Sequence, residues 1–485
     1  MKHHVPIFLL VSAAMATADD STIIVSHENC DPNTLPAEST NISTLDYGKF
    51  YKMCPGSHQH SSNNTFATFG QPRCGDGSNF AFYLTRPEQP QEEDKLLIDL
   101  SGGGACWDKA TCALQGFMLK MPAIDFVLGM SCSDVGRIAD VSTGWDILCA
   151  RTVGGTDFTE YNTVVIPYCT QDVHLGDAEA VYDGTNVQHV GAHNTYRTLQ
   201  WAFDNFEDPS HIVLTGCSAG ATPLPVIYHM VNEHYKARGH NVKVDIIADS
   251  PVYLTPLDFM ENNFDSWNHE TVMKSIGFDY DTHKGDLQYA SAVIDYVLDE
   301  SDDSDGIGIF SHNDDPVSLM YYNAMGGKGD AEVSAKTQWW SDMNTSWSQL
   351  KNEHDNFDVF IADSTGHCSS GLYIPNQQPD FEKWVSNIIA PTTPVQQDAA
   401  TNTSVTNTSV MNTSVTNITV HPTFITAEVE SGSLDSPVSS MNNNDDLSSV
   451  DSQTDPASTA TTKASAGHTL IATMLFFHLP FFLVG

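Results

Sequence analysis

Seven short apolar runs recur along the chain, at residues 80–84, 95–101, 163–169, 211–217, 242–248, 306–310 and 357–362. Glycine or polar residues close each of them. Within a run the apolar side chains follow one another with little alternation, the pattern of strands buried on both faces. Between the third and fourth runs, residues 194–206 space apolar side chains at helical intervals. After the fourth, Val226, Ile227 and Met230 do the same. Strands alternating with helices predict an α/β fold, with a mostly parallel central sheet flanked by helices.

The fourth run ends in Gly216-Cys217-Ser218-Ala219-Gly220. A strand, a tight turn and a helix place Ser218 at the apex of an elbow. A Cβ at either glycine would collide with a neighbouring element. The Ala219 amide, at the helix start, points toward negative charge forming there. The pentapeptide alone is common; its strand and helix flanks make Ser218 a candidate nucleophile rather than a structural turn.

The second run ends in Gly102-Gly103-Gly104-Ala105-Cys106-Trp107. Three successive glycines after a buried strand lose much backbone entropy on folding. A loop that brings bare amides to a reacting oxygen explains them better than a tight loop does, which makes the glycine loop a candidate oxyanion hole beside the Ala219 amide. A serine hydroxyl also needs a base oriented by an acid. His367 follows the last run and takes the base role by position. Asp314 and Asp315 both follow the run at 306–310 and compete for the acid. Asp249, at the end of the run after the elbow helix, comes early for it.

The ends of the chain have another character. Residues 1–18 read as a signal peptide: Lys2, an apolar stretch Val5 to Val11, and Ala16-Thr17-Ala18 before Asp19. Export makes the ten cysteines disulfide formers. No C-x-x-C pair or histidine cluster of zinc spacing occurs, so no metal is expected. Residues 19–70 are polar, with Cys30 and Cys54, and read as a disulfide-tied N-terminal segment. Residues 391–464 read as a stalk with sequons at Asn402, Asn407, Asn412 and Asn417; Asn41, Asn63 and Asn344 open further sequons. Residues 465–485 read as a GPI-anchor signal, or else a membrane anchor, giving a secreted, surface-held protein.

The formal net charge is −40. Eight acids and one lysine fall in residues 391–485, so 53 acids and 20 bases, a net −33, lie in residues 1–390. The folded part carries the acidity, which argues against nucleic acid as a partner.

The chain resembles the pectin acetylesterase / Notum family over about residues 70–390. The resemblance rests on Leu100-Ser-Gly-Gly-Gly-Ala-Cys-Trp107, Tyr168-Cys169, Gly216-Cys-Ser-Ala-Gly220, Ala248-Asp-Ser250 and His367-Cys368, in that order. It implies a single α/β-hydrolase-like catalytic domain, placed at residues 71–390, and a carboxylesterase without cofactor. It also implies Ser218 as nucleophile, His367 as base, the amides of Gly103, Gly104 and Ala219 as the oxyanion hole, and disulfides Cys106–Cys112 and Cys74–Cys169. The family's acid lies in a D-x-x-Q-like stretch, which favours Asp315-Pro-Val-Ser318 over Asp314, with serine where glutamine is usual. Ala221 stands where a second glycine is usual.

The leading expectation is therefore a monomeric serine carboxylesterase that removes acetyl esters from an extracellular polysaccharide, as plant members do with pectin. A polyuronate would meet a strongly acidic body, which counts against pectin itself. The alternative within the family is a lipid-ester hydrolase of the Notum kind, which needs a large apolar pocket beside Ser218; the stretch 116–130 is a candidate lining. An alternative of another class is a non-catalytic surface adhesin.

Overall fold

The computed structural model describes residues 35–55, 70–91, 94–114, 119–120, 152–153, 156–256, 259, 264–328, 334–369 and 377–390. The signal peptide, stalk and tail readings lie outside these residues, as do Cys30, Asn63, Asn402, Asn407, Asn412, Asn417 and most of 116–130. Asn41 and Asn344 are described and exposed.

The strands are β1 (Leu35–Pro36), β2 (Phe50–Cys54), β3 (Phe82–Thr85), β4 (Lys95–Leu100), β5 (Thr152–Val153), β6 (Thr156–Asp157), β7 (Asn162–Ile166), β8 (Ala178–Tyr182), β9 (Thr185–His189), β10 (His211–Cys217), β11 (Lys243–Asp249), β12 (Ile307–Asp314) and β13 (Phe357–Thr365). Nine of them form one sheet in the order β1-β2-β3-β7-β4-β10-β11-β12-β13. From β7 to β13 all pairings are parallel; β3 runs antiparallel to both β2 and β7. All seven sequence-read strands are present in this sheet. The fold is α/β, with a mostly parallel central sheet flanked by helices.

Neighbouring residues of each central strand feed different cores. Ile98, Leu214 and Ile246 pack with Leu199 and Ala202 of the helix Gly191–Asn205 and with Ile227 and Val231 of the helix Leu224–Lys236. Leu97, Val213, Ile247 and Phe310 pack with Phe381, Trp384 and Val385 of the helix Gln378–Ile388. Burial on both faces is why the runs do not alternate.

Two departures from the sequence reading have physical causes. Residues 19–70 supply β1 and β2, which extend the sheet, rather than only a tied entry segment. Lys52, buried within β2, hides that strand in the sequence. The helix expected over 194–206 begins at Gly191, because the buried Asp172 carboxylate accepts from the Gly191 amide at 2.7 Å. That cap comes from another loop, and Val190 supplies none.

Asp99, in β4, is only 2% exposed, and its Oδ2 has no partner among the described residues. Burial pushes its carboxyl up to about 8. In the unfolded chain the group ionises near pH 4, so the folded state is penalised progressively as pH rises from there toward 8. At about 1.4 kcal/mol per pKa unit the penalty reaches the order of 5 kcal/mol. Asp99→Asn is expected to raise the melting temperature by several degrees at pH 8 and hardly at all at pH 4. An equal shift at both, read by calorimetry, would remove ionisation as the cause.

Candidate active site

β10 lies between β4 and β11, with Gly216 beside Leu100 and Ala248. A Cβ on Gly216 would come within 2.5 Å of Gly220 O, and one on Gly220 within 1.9 Å of Leu100 O. Backbone therefore packs on backbone at both glycines, as the elbow reading requires. Ser218, with φ of +58°, sits in the left-handed region that few side chains adopt, and is 7% exposed. The chain leaves β10 in a 3-10 turn, Ser218–Gly220, and the helix proper begins at Leu224. The Ala219 amide is thus in the first turn, where N–H groups lack an intrahelical acceptor.

The glycine loop crosses directly over this elbow. A Cβ on Gly102 would meet Cys217 O at 2.5 Å and Ser218 Cβ at 3.3 Å. Gly104 has φ of +81°, a glycine conformation. Gln171, fully buried, donates from Nε2 to Gly103 O at 3.0 Å, and its carbonyl accepts from Cys106 N at 2.9 Å. Ala105 N donates to Tyr321 Oη at 3.3 Å. Burial pushes His174 down to about 4, so the neutral ring donates from Nε2 to Ser101 O at 2.9 Å. Among the described residues the Gly103 and Gly104 amides have no acceptor. Disulfide Cys106–Cys112 ties the loop to the following helix, Lys109–Leu114, and Cys74–Cys169 anchors the end of the β7 segment.

Asp315 is the N-cap of the helix Pro316–Ala324 and is 1% exposed. Its Oδ1 accepts from the Val317 and Ser318 amides, each at 2.9 Å. Its Oδ2 accepts from Ser318 Oγ at 2.9 Å and from His367 Nδ1 at 2.7 Å. The cap and Ser318 fix the carboxylate, and the carboxylate fixes the ring and places its proton on Nδ1. Nε2, the lone-pair nitrogen, is buried and without a partner among the described residues. Asp314 turns outward to Lys336 and Thr365. The structure thus brings Asp315, and not Asp314, to His367.

A third disulfide, Cys217–Cys368, joins the residue before Ser218 to the residue after His367. A ring nitrogen of His367 lies within 4.8 Å of both sulfurs, which sets the histidine beside the elbow. This bridge was not readable beforehand, since cysteine spacing carries no connectivity over a separation of 151. Gln171 and Tyr321 were also missed, because each acts on a partner distant in sequence, and Ser318 was named only as a departure from the family motif rather than for its bond to Asp315.

Two groupings of metal-ligating types, Cys106/Cys112/His189 and Cys217/His367/Cys368, have their sulfurs taken by disulfides. A third, Asp295/Glu353/His354, joins two helices, with His354 Nε2 on Asp295 at 2.8 Å.

Beside the elbow opens a cavity of about 970 Å³, counting the solvent at its mouth. Ala105 and Trp107 of the glycine loop and Ala221 and Thr222 after Ser218 bound it on one side. Phe259, Met273, Val293 and Ile294 also line it. Almost all of its wall is apolar.

The pectinacetylesterase family model matches residues 67–288, a span that holds the glycine loop, the elbow and Asp249 but not Asp315 or His367. Palmitoleoyl-protein carboxylesterase notum2 of Xenopus laevis is 27% identical over 169 residues, covering 34% of this chain and 30% of that protein. Pectin acetylesterase 11 of Arabidopsis thaliana is 24% identical over 194 residues, covering 39% and 45%. The matches therefore span less than half the length of either relative. The solved structure of the Wnt deacylase Notum from Drosophila aligns with a TM-score of 0.42 at 18% identity, over 65% of this chain and 85% of that one. The resemblance read from the spaced motifs is matched by the pectinacetylesterase family model over residues 67–288 and by both of these relatives.

Proposed function

We propose that the protein is a serine carboxylic ester hydrolase whose acyl group is longer than acetyl. In this reading Ser218 Oγ attacks the ester carbonyl while His367 Nε2 takes its proton. The carbonyl oxygen becomes an oxyanion facing the amides of Gly103, Gly104 and Ala219. The C–O bond to the alcohol then breaks, and His367 returns the proton to the leaving oxygen, leaving an acyl-enzyme. Water attacks the acyl carbon, gives a proton to His367, and frees the carboxylic acid as Ser218 Oγ is reprotonated. Asp315 holds the ring through Nδ1 and steadies the imidazolium.

The observation that carries the acyl assignment is the apolar cavity bounded by Trp107, Ala221 and Thr222. An acetyl group would leave its apolar wall uncovered, whereas an aliphatic chain would cover it. The alternative, an acetylesterase acting on an extracellular polysaccharide, rests on the same family and the same triad. Export and surface anchoring belong to the proposal as well.

The test is a series of p-nitrophenyl esters from acetate to myristate. Each buried methylene contributes about 0.8 kcal/mol at most, so kcat/KM should rise by up to roughly tenfold per two carbons until the cavity is full. A rise of at least about 100-fold from acetate to octanoate is expected. Acetate as the fastest ester would return the reading to an acetylesterase. A chain that no fluorophosphonate labels would be the adhesin instead.

A further inference from the structure

The motif Ala248-Asp249-Ser250 takes no part in the mechanism above, although it ends the strand beside the elbow. Cys217 and Asp249 are register partners on β10 and β11. From there Asp249 reaches the histidine loop: its Oδ2 accepts from both Ser369 N and Ser369 Oγ, each at 2.6 Å. Its Oδ1 accepts from Ser250 Oγ at 3.1 Å, and Ser250 Oγ accepts from Cys368 N at 3.0 Å. Cys368 and Ser250 both adopt left-handed φ, +61° and +52°. Backbone of that kind persists only where its surroundings hold it.

We propose that Asp249 is a positioning residue for His367, clasping Cys368 and Ser369 just after it and holding the ring over Ser218. The inference rests on Ser218 and His367 being nucleophile and base. Asp315 orients the ring through Nδ1 alone, which leaves rotation about that bond unopposed. The disulfide fixes Cys368 to Cys217, and Asp249 fixes the next residue, so the chain after His367 is held at two successive positions. Asp249 also acts by its charge. Burial raises its carboxyl, and hydrogen bonds from Ser369 and Ser250, with the charge of His367, pull it back. Among the described residues the other ionisable groups near this loop are Asp315 on His367, His312 packed on Gly366, and Asp314, with Lys336, on Thr365.

Asp249→Ala removes the clasp and should lower kcat about 30- to 100-fold with KM changed less than about threefold. Asp249→Asn keeps an acceptor for Ser369 but not the charge; kcat at its optimum should stay within about fivefold, while the acid limb of kcat/KM moves down by about half a pH unit or more. Ser369→Ala, which removes one donor, serves where Asp249→Ala fails to fold, with an expected three- to tenfold loss in kcat. An unmoved acid limb in Asp249→Asn, or near-wild-type kcat in Ser369→Ala and a folded Asp249→Ala, overturns the proposal. The first reading is checked separately by fluorophosphonate labelling of the wild type. No label on Ser218 sinks the triad and this inference with it; a labelled Ser218 with unchanged variant kinetics sinks this inference alone.

Discussion

Ser218→Ala is expected to lower kcat/KM on the best p-nitrophenyl ester by about 10,000-fold or more and to abolish fluorophosphonate labelling. A triad fails as a unit once its nucleophile is gone, and what remains is binding plus whatever the oxyanion amides offer to water. The loss should fall almost wholly on kcat, because the apolar cavity that would bind the acyl chain is lined by other residues. Folding should be unharmed. Ser218 holds a left-handed φ that alanine tolerates about as well as serine, so the melting temperature should move by no more than a few degrees. Activity above a tenth of wild type would place the chemistry elsewhere.

The second large effect is expected at Asp315. Asp315→Asn should lower kcat by about 1,000- to 10,000-fold, since an amide facing His367 Nδ1 favours the wrong tautomer and cannot stabilise the imidazolium. It should also cost stability. The carboxylate caps the helix Pro316–Ala324 through two amides, and asparagine, itself a good cap, keeps part of that. The partner experiment is Asp314→Asn. Asp314 faces Lys336 and Thr365 at the exposed end of β12, and its loss should reduce kcat less than about tenfold. Equal losses in the two variants would show that the region, rather than the Asp315 carboxylate, is what matters.

These contrasts mark what was legible beforehand. Each of the seven strands lies where its apolar run predicted, because burial on both faces of a strand leaves a local trace in residue type. The elbow was legible for a similar reason. Gly216 and Gly220 answer to close backbone approaches within a few residues and to the adjacent strand, and only glycine permits them. The end of β12 was read four residues short, since Ser311 and His312 are polar yet buried.

The choice between Asp314 and Asp315 was not legible in the same way. Adjacent acids after the same strand look alike in sequence, and the family motif only leaned toward one. What separates them is that Asp315 begins a helix, so its side chain turns inward to the Val317 and Ser318 amides and then to His367.

The sequence by itself determined the α/β class, the candidate nucleophile on its elbow and the glycine loop that crosses it. Each of these is written in short stretches, because hydrophobic periodicity and backbone sterics act over a few residues. Only the tertiary structure decided which acid meets His367, that Cys217 pairs with Cys368, that Asp172 starts a helix 19 residues on, and that a largely apolar cavity lies beside Ser218. Those features join positions up to 151 residues apart. Their partners are chosen by where the folded chain returns, and no local pattern of residue types records that.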